Sequence, residues 1–143
     1  MSRKNRINAG SPPKGTRIPS PVSIGPEKVN LSFEYYVAGG EFCLSHCNKD
    51  DIRHYKDCVR KMTTMEWNDV LKSGGKGGAN KQGLAFTTYE DHALKGASRP
   101  SAVDPKLSIS AVRASERTRL FGFRRGQTFF ILWYDRNHEI VPV

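Results

Sequence analysis

Five arginines and a lysine between residues 106 and 125 are the side chains of this sequence best suited to chemistry. Lys106, Arg113, Arg117, Arg119, Arg124 and Arg125 stand there against Glu116 alone. A guanidinium presents a flat fork of donors that matches a phosphate and also stacks on rings, so arginine is more pointed here than lysine. Phe121, Phe123, Phe129, Phe130, Trp133 and Tyr134 interleave with these cations, as on a surface that stacks nucleobases. Most of them must nevertheless be core, because this is the most apolar stretch of the chain. If Arg113 and Arg119 point to one face they cradle a phosphate, and His138 is the group best suited to move a proton beside it. RNA cleavage needs little more: a base for the 2′-hydroxyl, cations for the charged phosphorane and an acid for the leaving 5′-oxygen. The expected catalytic set is Arg113, Arg119 and His138, with Tyr134 or Glu116 as weaker proton carriers and Arg124 as a further charge stabiliser. Lys106, Arg117, Arg124 and Arg125 are the expected nucleic-acid contacts. The competing account pairs the arginines with Glu116, Asp135 and Glu139 across the sheet and lets His138 merely finish a strand.

A second constellation carries sulfur. Cys43, His46, Cys47, His54 and Cys58 fall within sixteen residues. Their spacing departs from the tight Cys or His pairs of structural zinc sites, and small buried cysteines account for them equally well, so no metal is expected. Cys47 precedes a helix start that would lower its pKa, but no orienting acid or oxyanion site accompanies it. The glycine-rich stretch 74–83 lacks the Gly-Lys-Ser/Thr order and preceding strand of a nucleotide-binding loop, and reads as a surface loop.

These side chains need a scaffold, and periodicity supplies one. Residues 29–37 alternate apolar and polar at their start and are expected as a strand, Ala38–Glu41 turn, and Phe42–His46 return as a hairpin partner. Asn48, with Asp50 and Asp51, caps a helix over 49–62 whose apolar side is Ile52, Tyr55, Val59 and Met62. Thr63-x-x-Glu66 reads as a capping box for a second helix buried through Trp67, Val70 and Leu71. Leu84–Thr88 forms a short strand and Tyr89–Lys95 a helical turn. Strands over 107–113, 118–123 and 128–134 follow, with the hairpin turn at Arg124–Gln127 and the nearly continuous apolar strand 128–134 at the sheet centre. The expected class is α+β, two helices packed on a twisted antiparallel sheet.

The chain has 143 residues and a net charge of +9. Residues 1–28 carry six Lys and Arg against Glu27, five of the eight prolines and no aromatic residue. That composition predicts a flexible basic arm, followed by a single α+β domain over 29–143. No apolar run is long enough for a membrane span, no apolar stretch follows the basic start as in a secretory signal, and three cysteines do not build a disulfide scaffold. A cytoplasmic protein whose partner is a polyanion is expected.

The arginine-bearing hairpin from Arg119 to Asp135, RLFGFRRGQTFFILWYD, after a helix pair, resembles the RelE/ParE-type bacterial toxins. The resemblance spans roughly residues 49–143 and aligns Arg119 and the strand after Gly126 with the hairpin of that superfamily. It implies a small, basic, metal-independent and cofactor-free endoribonuclease toxin of a toxin–antitoxin or phage-defence system. It implies RNA as the substrate, including RNA on the ribosome, and an acidic antitoxin segment lying over the arginine face. The phrase from Phe121 to His138 is also similar to uncharacterised small prokaryotic and phage proteins. A non-catalytic nucleic-acid-binding or defence interaction protein using the same face is the alternative.

Overall fold

Three apolar runs of the C-terminal third become strands of one five-stranded sheet, flanked by two helices. The computed structural model describes residues 27–73 and 83–142. The strands are β1 (Asn30–Ser32), β2 (Thr87–Tyr89), β3 (Ile109–Arg113), β4 (Arg119–Arg125) and β5 (Thr128–Asp135). The helices are α1 (Lys49–Thr63) and α2 (Trp67–Lys72), with short 3-10 turns at Leu44–His46 and Asp91–Ala93. Strand order is β1-β5-β4-β3-β2. β2 to β5 run as an antiparallel meander, while β1 lies parallel to β5. The sheet is therefore mixed and not antiparallel throughout, and its middle strand is β4, with β5 one place from the centre.

Both faces of the sheet are buried, which explains why β5 reads as continuous apolar sequence and not as alternation. On one face α1 contributes Cys58 and Met62, and α2 contributes Trp67 and Val70, against Leu120, Phe129, Ile131 and Tyr134. On the other, loops bring Phe42, Leu94, Val103 and Ile140 over Ala111, Phe121, Phe123 and Phe130. Opposite Phe121 and Gly122 the partners on β5 are Trp133 and Ile131, so Leu132 is an extra residue in a bulge. Gly122 has no alternative there: a Cβ would strike the Phe130 carbonyl oxygen and come within 2.8 Å of the Phe129 ring.

The expected N-terminal hairpin does not form. The chain leaves β1 after Ser32, whose Oγ accepts from Glu34 N at 3.0 Å, and Tyr36 N turns back onto Phe33 O at 3.0 Å. The rings then divide: Tyr35 packs on Phe123 and Phe130, while the Tyr36 hydroxyl accepts from Leu44 N at 2.7 Å. Residues 37–42 run along the outer side of β5, Val37 N donating to Leu132 O and Tyr134 N donating to Phe42 O. The long apolar edge of β5 thus outcompetes a local partner, and residues 44–46 become a 3-10 turn.

Asn48 caps α1 as expected, and its reciprocal bonds with Asp51 close a capping box. The buried stripe is shifted: Tyr55, Cys58, Val59 and Met62 face the sheet, whereas Ile52 is 43% exposed. The second capping box is not made. The Thr63 and Thr64 hydroxyls donate back to Arg60 O and Lys61 O, and Glu66 occupies the N-cap of α2 with no side-chain bond. The open donor of Trp67 N is met by Glu27 O at 2.7 Å, and Lys28 bridges to Glu66. The folded body therefore takes in Glu27 and Lys28, and the rest of the arm expected over 1–28 lies outside the described residues. So does the glycine-rich stretch from 74 to 82. Leu71, expected inside, is 44% exposed. After β5 the chain forms no closing strand; Lys95 N and Gly96 N hold Ile140 O instead. Among the described residues no helix is long and apolar enough to cross a membrane.

Candidate phosphate-binding site at one end of the sheet

β3 ends where β4 begins, and the register sets Arg113 directly opposite Arg119 and Arg119 opposite Asp135. Alternation then puts all three on the loop-covered face, because Ala111 and Phe121, two residues away along their strands, lie in that core. Arg113 and Arg119, expected to share a face, do share one. Both are partly buried at the sheet end.

Like charges opposite each other on adjacent strands repel. None of the fourteen Asp and Glu side chains lies within 4 Å of either guanidinium, so the pairing with Glu116, Asp135 and Glu139 that would have made these arginines structural is not made. Arg119 instead donates through Nη1 to the carbonyls of Ser115, Glu116 and Thr118, which anchors it across the 114–118 turn. Its pKa is lowered, first by burial and next by the Arg113 charge, with Tyr89 and Asp135 acting in the opposite sense.

The chain leaves β5 through a turn that returns to this end. Asp135, 1% exposed, accepts from Ile140 N through Oδ2 at 2.7 Å. His138 adopts φ 59°, a left-handed conformation that costs a non-glycine residue stability. Arg117 Nη2 donates to Asn137 Oδ1 at 2.9 Å and ties this turn to the 114–118 turn beside Arg119. Among the described residues, three buried side-chain polar atoms have no partner within the chain: Arg113 Nε, Asp135 Oδ1 and His138 Nδ1. All three belong to this end of the sheet. Buried donors and acceptors are almost always satisfied, so this end of the sheet holds a donor and acceptors whose partners the chain itself does not supply.

The other cations of the 106–125 run lie elsewhere. Arg124 sits 4.2 Å over the Trp67 ring, donates to Gly126 O and reaches Glu27 at 3.4 Å. Arg125 lies over Phe130 and Tyr35. Both are therefore at the β4–β5 turn, at the opposite end of β4 from Arg119. Lys106 is exposed and lines a separate cleft. Tyr134 is on the wrong face to join the set: it is 1% exposed in the helix-side core, packs edge-on against Tyr55 and donates its hydroxyl to Asp51 O at 3.0 Å. Burial raises its pKa far above the tyrosine norm. The alternation that puts Asp135 with the arginines puts Tyr134 behind them. Asp135 itself was named in the sequence only as a possible salt-bridge partner; its apolar neighbours on β5 were the signal that it would be buried.

The cysteines are separated. Cys58 is buried under α1, with its thiol 3.8 Å from Arg113 O, and burial pushes its pKa up to about 12. Burial and the nearby Asp51 raise Cys47, against the helix-start expectation, since the Asn48 and Asp51 side chains already occupy the first turn of α1. Cys43 is the thiol that goes down, to about 6, through hydrogen bonds from the Ser45 side chain and backbone, the Gly39 backbone and Tyr36. Among the described residues no group of three or more His, Cys, Asp or Glu is arranged to hold a metal ion. No family model, curated protein or solved structure matches the chain.

Proposed function

We propose that this chain binds RNA by gripping a phosphate between Arg113 and Arg119, and that it cleaves the strand there without a metal, in the manner of a RelE-like toxin. The observation that carries the reading is the cross-strand arginine pair, without a carboxylate partner, at the one end of the sheet where buried polar atoms go unpaired. A bound phosphate supplies the acceptors that Arg113 Nε lacks and neutralises the repulsion between the two cations. In the cleavage step His138 takes the proton of the 2′-hydroxyl, the 2′-oxygen bonds to phosphorus, and the bond to the 5′-oxygen breaks. The products are a 2′,3′-cyclic phosphate and a 5′-hydroxyl that takes its proton from water. Arg113 and Arg119 stabilise the charge that builds on the phosphorane. An acidic antitoxin segment would cover the same arginines.

Tyr134 favours a second reading. With its hydroxyl held in the core, Tyr134 cannot serve the site, which leaves His138 as the proton carrier of the expected set. A protein that binds RNA without cutting it fits that inventory. One experiment separates the two: incubate the purified chain with RNA and EDTA, and compare wild type with Arg119→Ala and His138→Ala. Cleavage that both variants abolish, while His138→Ala still binds, supports the enzyme. Binding without cleavage supports the second reading, and no binding by the wild type overturns both.

A further inference from the structure

At the start of β3, where Tyr89 pairs with Ile109 and about 13 Å along the strand from Arg113, lies a cleft of about 350 Å³, lined among others by Thr88, Tyr89, Glu90, Asp91, Arg99 and Lys106. Its walls are built and not incidental. Arg99 clasps Asp91 through Nη2 at 2.7 Å and Nε at 2.9 Å, and donates through Nη1 to Asp104 O. Asp104 Oδ1 in turn accepts from Lys106 N at 2.9 Å, which sets the course of the chain at the rim. One side is β2, the last strand in the sheet order, so among the described residues its outer backbone edge has no strand beside it. Tyr89 joins the cleft to the arginines. Its ring lies 6.1 Å from that of Phe121, tilted by 31°, and Phe121 is two residues along β4 from Arg119, about 7 Å on the same face.

We infer that this cleft receives one unpaired nucleobase that lies a few nucleotides along the RNA strand from the phosphate between Arg113 and Arg119, stacked against Tyr89, with Lys106 on the phosphate next to that base. The inference rests on the phosphate-binding reading and adds the part of the ligand that reading leaves open. The volume lies at the small end of ligand sites, room for a heterocycle. The lining offers what a base edge uses: the Glu90 and Asp91 carboxylates and the Thr88 hydroxyl as acceptors, the β2 edge with both donors and acceptors, and one aromatic face. An unpaired base is required, because in a duplex its face and its Watson–Crick edge are covered.

The test uses a labelled single-stranded RNA octamer, an octamer of abasic ribose phosphates and inorganic polyphosphate as probes, with affinities read by fluorescence anisotropy. The wild type should bind the RNA more tightly than the abasic octamer by roughly 5- to 150-fold, the range for one stacked base. Tyr89→Leu keeps apolar packing on Phe121 but removes the ring. It should erase that ratio and leave polyphosphate binding unchanged, while Tyr89→Phe should preserve it. Equal affinity of the wild type for RNA and the abasic octamer overturns the cleft assignment without needing any variant, and leaves the phosphate site standing. So does a ratio that survives Tyr89→Leu. Failure of the wild type to bind any of the three probes overturns the phosphate site itself, and the cleft with it.

Discussion

At the β4–β5 turn two arginines are provided for, whereas at the opposite end of β4 two others are not. Arg124 and Arg125 lie over Trp67, Phe130 and Tyr35, and Arg124 also has Gly126 O and Glu27. A guanidinium over a ring at such a site is worth about 0.5–1 kcal/mol, so these two serve the fold. Arg113 and Arg119 face each other across adjacent strands, lack a carboxylate within 4 Å, and leave Arg113 Nε buried and unpartnered. Directly opposed like charges cost rather than contribute, up to about 1 kcal/mol. The same residue type is partnered at one end and left without a carboxylate at the other. Neighbours in space, and not composition, decide which.

The strongest way to disturb both ends together is to break the strand that joins them. Gly122→Ala puts a methyl group into the Phe130 carbonyl and the Phe129 ring and should cost about 3 kcal/mol, read as a lowered urea midpoint. Next in size are Arg113 and Arg119, to which the proposed function assigns the phosphate. Arg113→Ala and Arg119→Ala should each weaken RNA binding about tenfold or more and lower the salt slope by about one, in anisotropy titrations. Arg124→Ala should change affinity by less than about threefold; an equal loss would erase the contrast between the ends. In stability the order reverses. Arg124→Met should lower the unfolding free energy by about 1 kcal/mol through the lost contact with Trp67. Arg113→Met, which keeps the apolar stem and removes the repulsion, should leave stability unchanged or raise it by about 0.5 kcal/mol. Arg125→Ala is the smallest change, a loss of about 0.5 kcal/mol by thermal melting, since its guanidinium stands 4.9 Å and 5.8 Å from the rings it covers.

The legible parts of the fold were those in which a local signal and the tertiary contact agree. The Asn48–Asp51 box starts α1 as read, because both partners lie within one turn of chain. The strands of the C-terminal meander follow from apolar runs separated by short turns. Signals that needed a distant partner misled. Thr63 and Glu66 have the right spacing for a box, but Glu27 O, forty residues away along the chain, takes the donor at the start of α2. The stretch from Phe33 to Val37 continues a run that starts out alternating like a strand, yet the open edge of β5 and the packing of Tyr35 and Tyr36 redirect it. In the candidate site, Arg113, Arg119 and His138 were readable as types of side chain near a hairpin. The unpaired state of their buried atoms was not, since it depends on which carboxylates come close.

Sequence alone determined the charge, the arginine-rich run, the α+β class and the helix cap, all of which follow from composition or from neighbours a few residues apart. Tertiary structure alone decided that β1 joins in parallel, that loops cover the second face of the sheet, and that Tyr134 is core while Asp135 stands with the arginines. The physical reason is register. Side chains alternate across a strand, so a shift of one residue moves a group from one face to the other, and only pairing between strands far apart in sequence sets that count.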